Sequence, residues 1–112
     1  MFLLDTDTVI YSLKGEPKVT RRLTETSSEP KALSVVTYGE LFYGAMKSGR
    51  WETNLAKVRR LGEIFPVIPV DKAIMETFGQ IKAETERKGR PIDDFDLVIA
   101  ARKRVEDDLE AA

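Results

Sequence analysis

Phe2-Leu3-Leu4-Asp5-Thr6-Asp7-Thr8-Val9-Ile10 runs from apolar residues into two acids flanked by threonines, then back to apolar residues. Phe2 to Leu4 reads as a short buried strand, and Thr8 to Leu13 as a short helix that Gly15 and Pro17 break. A strand that ends on carboxylates sets the question for the rest of the chain. In open parallel sheets, working residues gather at the carboxyl ends of strands and at the helix N-termini just beyond them.

The pattern repeats downstream. Val19, Leu23 and Thr26 lie at helical spacing, and the turn cluster Ser27-Ser28-Glu29-Pro30 leads into a second buried strand over Ala32 to Val36. A helix is expected at once, from about Thr37 to Lys47. Trp51, Leu55, Val58, Leu61 and Phe65 form an i, i+4, i+7 stripe, which predicts an amphipathic helix over 51 to about 64 with Arg59 and Arg60 on its exposed face. Phe65 to Val70 is apolar but holds Pro66 and Pro69, so a strand there is short and at a sheet edge. Asp71 reads as the N-cap of a helix through Ile74, Phe78, Ile81 and Thr85 that ends near Gly89. The last helix begins after Pro91 and runs through Val98, Ala101, Val105 and Leu109. Strands alternating with helices give an α/β class with a short, mostly parallel sheet covered on both faces. The 112 residues are expected to form a single domain.

Composition narrows the chemistry. Eighteen basic residues against nineteen acidic ones leave a net charge of −1, so there is no global field to draw in nucleic acid or an anionic membrane. The absence of Cys and His removes thiolate nucleophiles, Cys-ligated zinc and the usual general base. What remains is carboxylates, lysines and hydroxyls. The first apolar run is too short for a signal peptide or a membrane span, so a cytoplasmic protein without membrane contact is expected.

Asp5 and Asp7 after the first strand, Glu40 in the helix after the second, and Asp96 in the first turn of the last helix are acids far apart in sequence that this topology lets converge. Each also has a structural reading. Thr37-Tyr38-Gly39-Glu40 matches a capping box, Asp7 fits the cap of the first helix, and Asp93 fits the cap of the last helix with Asp94 and Asp96 complementing its dipole. Taken together, converging acids repel unless a cation neutralises them, and hard oxygen donors select Mg²⁺ or Mn²⁺. Such a centre suits phosphodiester hydrolysis.

Three segments, LLDTDTVIYSLKG, LSVVTYGELFYGAMKS and AETERKGRPIDDFDLVIAA, resemble the signature segments of PIN-domain ribonucleases of the VapC toxin type, in the expected order over about residues 2 to 101. The resemblance implies a PIN-like three-layer α/β/α fold and a Mg²⁺-dependent endoribonuclease with an RNA substrate, a VapB-like antitoxin partner and a homodimeric state. It assigns Asp5, Glu40 and Asp96 as metal ligands and catalytic residues. Asp7 is implied as a polar support, Thr6 and Thr37 as hydroxyls beside the acids, and Asp94 as an outer member of the cluster. After Ala101 the family continues into a strand with a fourth polar ligand and then a short C-terminal strand. Arg102 to Ala112 is instead charged and helical in pattern. The expectation is a C-terminally short domain lacking those strands, with a catalytically weakened module that only binds its partner chain as the alternative to an active enzyme. A receiver-type domain also gathers acids around Mg²⁺, but no phosphoacceptor and lysine pattern supports it here.

Lys14, Lys47, Arg50, Lys88 and Arg90 are candidates for phosphate contacts, with solvated surface charge as the simpler reading. Arg102-Lys103-Arg104 reads as a solvated helix end. Tyr11, Tyr38, Phe42 and Tyr43 fit core packing or a dimer face better than base stacking.

Overall fold

A computed structural model describes residues 2–111. The chain divides after Ile68 into two compact units, each held by its own contacts.

The first unit contains the sheet. Strand β1 (Phe2–Leu4) is followed by helices α1 (Thr6–Leu13) and α2 (Pro17–Glu25), strand β2 (Lys31–Ser34), helices α3 (Val35–Met46) and α4 (Trp51–Ile64), and strand β3 (Val67–Ile68). The strands pair in parallel in the order β1-β2-β3, with Leu4 opposite Leu33 and Leu33 opposite Val67. Parallel neighbours require crossovers, and the two helical pairs supply them. The central strand is fully enclosed: Ala32 and Leu33 are 0% exposed and Ser34 3%. Leu4, Val9, Leu33, Leu41, Ala45, Leu55 and Val58 form the core, with Leu23, Tyr38, Phe42, Leu61 and Phe65 packed on its margin. The short prolyl strand is at the sheet edge as its sequence predicts, and Pro17 opens α2 at the first helical position, where a missing N–H costs nothing.

Within this unit the sequence reading is corrected at the start of α3, at the cap of α1 and at Trp51. Helix α3 starts two residues early, because Ser34 Oγ accepts from Val36 N–H at 3.2 Å and caps it. Val35 and Val36 therefore belong to the helix, and Thr37 is a buried residue of its first turn rather than the cap of a capping box with Glu40. Asp5, not Asp7, caps α1: its Oδ1 accepts from Thr8 N–H at 2.7 Å. In the α4 stripe Leu55 and Val58 are buried, while Trp51 at its start is 46% exposed.

The second unit is a helical pair. Asp71 caps α5 (Lys72–Arg87) through Ile74 N–H at 2.9 Å, and Gly89 follows the helix at φ 68°, a conformation that favours glycine. Helix α6 (Asp94–Ala111) packs on α5 through buried Ile74, Ile81, Leu97, Val98 and Ala101. Arg102 is not a solvated helix end: it is 5% exposed and donates to the Pro69 carbonyl. Among the described residues no helix is long and apolar enough to cross a membrane.

Candidate functional site

The register of the sheet places the site. Leu4 pairs with Leu33, so the next residues, Asp5 and Ser34, reach the same carboxyl edge of the sheet, and both cap the helix that leaves it. From these two caps α1 and α3 run in contact, and the first residue of α1 meets a carboxylate of α3. Thr6 Oγ1 donates to Glu40 Oε1 at 2.9 Å in a partly buried setting. Glu40 lies six residues past the Ser34 cap, roughly 9 Å along the helix. Of the sequence candidates, Asp5, Thr6 and Glu40 are therefore held around one junction, and Thr37 sits one turn before Glu40 on the buried face of α3. Asp7 is exposed in the first turn of α1, where it complements the helix dipole.

Asp96 and Asp94 belong to the second unit, both in the first turn of α6. Asp93 Oδ2 accepts from Phe95 N–H at 3.3 Å and its carbonyl accepts from Leu97 N–H, so the capping expected of Asp93 is present. Asp94 is engaged by Lys82 of α5 at 3.0 Å. That hydrogen bond, and then the negative charge of Asp94, raise the Lys82 pKa above the ordinary lysine value. No spacing rule foretells this pair, which joins two helices. Asp96 is exposed beside it.

The donor chemistry fits a hard divalent cation. Asp5 and Glu40 each direct one oxygen to a neutral donor, Thr8 N–H and the Thr6 hydroxyl, and their second oxygens have no hydrogen-bond partner among the described residues. Oxygen-only donors of this kind suit hard divalent cations such as Mg²⁺, Mn²⁺ or Ca²⁺ better than softer metals. Among the described residues no three acidic side chains form a group that could hold a metal ion.

A cleft of about 480 Å³ adjoins this junction, lined by α1, α3 and α4, with Glu40 among its lining residues. A smaller pocket of about 180 Å³ on the α2 side includes Asp5, Thr8 and Arg22. Sequence reading missed Ser48 and Asn54, which line the larger cleft and are joined at 2.8 Å. Asn54 immediately precedes the buried Leu55 of the α4 stripe, where periodicity alone marks a helix flank and nothing more.

Parallel strands whose carboxyl ends lead into Asp5 and the Ser34 cap, with Glu40 farther along α3, define an α/β protein with polar residues at one edge of its sheet. The PIN domain family profile matches residues 2–103. The chain is 38% identical over 103 residues to the tRNA(fMet)-specific endonuclease VapC of Shigella flexneri, covering 92% of this chain and 78% of that protein. Among solved structures, DNA-bound VapBC from Salmonella typhimurium superposes with TM-score 0.77 at 38% identity, covering 89% of this chain and 76% of that one. VapBC2 from Rickettsia felis, bound to a DNA fragment from its promoter, gives 0.79 at 26% identity over 89% and 77% of the two chains. The chain thus belongs to the PIN-domain family, as a toxin of the VapC type. Its α/β class with a short parallel sheet agrees with the PIN-like α/β/α fold of these structures.

Proposed function

We propose that this protein is a divalent-metal-dependent endoribonuclease, with Asp5, Glu40 and Asp96 as its catalytic carboxylates and a VapB-like antitoxin as its partner. The observation that carries this reading is the 2.9 Å bond from Thr6 to Glu40, which joins the first two acid-bearing segments at the carboxyl edge of the sheet. The names of its relatives, endonucleases and VapBC complexes, point the same way. A single domain over 1–112, a homodimer and a cytoplasmic location belong to the same proposal.

Bound Mg²⁺ or Mn²⁺ would supply charge neutralisation at the phosphate and a water of lowered pKa. Asp5 and Glu40 would hold it through their second oxygens, with Asp96 as the third ligand. Thr6 fixes the Glu40 carboxylate by donating to one oxygen, so the other keeps a constant direction. Asp5 is fixed in the same way by its own helix. Asp7 and Thr37 support the two ligand-bearing turns, and Asp94 holds the start of α6 through Lys82. Without His, a 2′-hydroxyl attack lacks its usual base, so hydrolysis leaving a 5′-phosphate is the expected outcome.

The test uses purified protein and initiator tRNA, chosen because relatives are named for it. Cleavage with Mg²⁺ or Mn²⁺, its loss in EDTA and its loss in Glu40→Gln support the reading. Cleavage that survives both treatments refutes it. A wild type that binds metal but leaves RNA intact identifies the weakened, partner-binding alternative.

A further inference from the structure

The cleft beside Glu40 has features that metal binding does not use. Buried Leu41, Ala45 and Val58 give it an apolar floor, and Gly44 opens it, since a Cβ built there meets nothing within 4 Å. From Glu40 to Ala45 the cleft follows α3 for roughly 7.5 Å, and it continues to Ser48 just past the end of the helix. Lys14, at the end of α1, and Lys57, on α4, are exposed in its lining, and neither pairs with an acid among the described residues.

The polar end of the cleft has a fixed hydrogen-bond direction. Ser48 Oγ donates its one proton to the Ala45 carbonyl at 2.7 Å, so it must accept from Asn54 Nδ2 at 2.8 Å. That bookkeeping sets the orientation of the Asn54 amide, and its Oδ1 is left as an acceptor without a partner among the described residues. A partner for this cleft therefore carries a flat apolar body, an N–H donor at its edge and negative charge on either side. An unpaired nucleobase in its strand has all three.

We propose that this cleft is a base-binding subsite for the nucleotide next to the phosphate held at Glu40. Leu41, Ala45 and Val58 contact the face of the base, Asn54 Oδ1 accepts from an N–H on its edge, and Lys14 and Lys57 engage flanking phosphates. The assignment rests on the nuclease reading above and extends it to substrate choice.

The test is fluorescence anisotropy with labelled hexamers of A, C and U in Ca²⁺, alongside cleavage of initiator tRNA in Mg²⁺. Gly44→Leu fills the cleft and is expected to weaken hexamer binding about tenfold or more, while Gly39→Ala, on the same helix outside the cleft, binds as wild type. Asn54→Ala is expected to weaken binding of all three hexamers by about fivefold, since A, C and U each carry an edge N–H. Lys57→Ala should make the slope of log affinity against log salt shallower by about 0.7, one phosphate contact on a single strand. Melting curves of all variants verify folding. If wild type binds and cleaves but Gly44→Leu or Asn54→Ala binds equally well, the subsite is overturned and the nuclease reading stands. A folded wild type that neither binds hexamers nor cleaves RNA refutes both.

Discussion

Asp5 has two duties that substitution can separate. Its Oδ1 caps α1 through Thr8 N–H, and its other oxygen is the proposed metal contact. Asparagine caps a helix as well as aspartate does, whereas alanine does not. Asp5→Asn should therefore leave stability within about 0.5 kcal/mol of wild type, while Asp5→Ala loses about 1 kcal/mol. Urea unfolding without metal checks both, and both should abolish cleavage. Equal losses of stability would show that the cap contributes nothing. By sequence alone Asp7 reads as the cap, because residue type favours it no less than Asp5. Strand pairing decides it: β1 ends at Leu4, which makes Asp5 the first residue free to leave the sheet.

At the scale of elements, two glycines that look alike in sequence behave differently. In α5 a Cβ at Gly79 meets nothing within 4 Å, so Gly79→Ala should stabilise by about 0.5–1 kcal/mol through helix propensity. In α4 a Cβ at Gly62 comes within 2.8 Å of Tyr38 Cε2, on a ring packed against the core. Gly62→Ala should therefore destabilise, since displacing a packed ring costs about 1–3 kcal/mol and exceeds the propensity gain. Chemical denaturation of the two variants gives opposite signs if the packing is as described. The bridge from Lys82 to Asp94 between α5 and α6 has a pH signature. Because the folded-state pKa of Lys82 is raised, its contribution is complete below the ordinary lysine pKa of about 10.4 and fades as pH rises through the higher folded value. Melting temperature scanned through that alkaline window should fall less steeply for Lys82→Gln than for wild type. The exposure of both groups keeps the neutral-pH effect small.

For the whole molecule, the proposed ligand set of Asp5, Glu40 and Asp96 ties metal binding to folding. Mg²⁺ or Mn²⁺ bound only by the folded state should raise the melting temperature, with about 2.7 kcal/mol gained at a hundredfold excess over Kd. Asp96→Asn should remove most of that shift, as Asp5→Asn does. Calorimetry in which Asp96→Asn keeps the full shift would remove Asp96 from the ligand set.

Much of this was legible along the chain. The alternation of apolar runs and helical stripes, the prolines at 66 and 69, the Asp71 and Asp93 caps and the glycine after α5 are local signals, and local backbone chemistry decides them. The start of α3 was not, because Val35 and Val36 favour a strand by propensity while Ser34, enclosed at the end of the central strand, caps a helix. The candidate acids were visible as residue types at element junctions. Their grouping was not: Thr6 finds Glu40 across 34 residues, and Lys82 finds Asp94 across two helices. Arg102 illustrates the same limit, since a basic run reads as solvated until packing buries one member against a carbonyl. The sequence by itself determined the elements and the kind of chemistry, because propensity, capping and side-chain type act over a few residues. Which polar groups meet was decided only by the tertiary structure, because strand register and helix packing bring together residues that no local interaction connects.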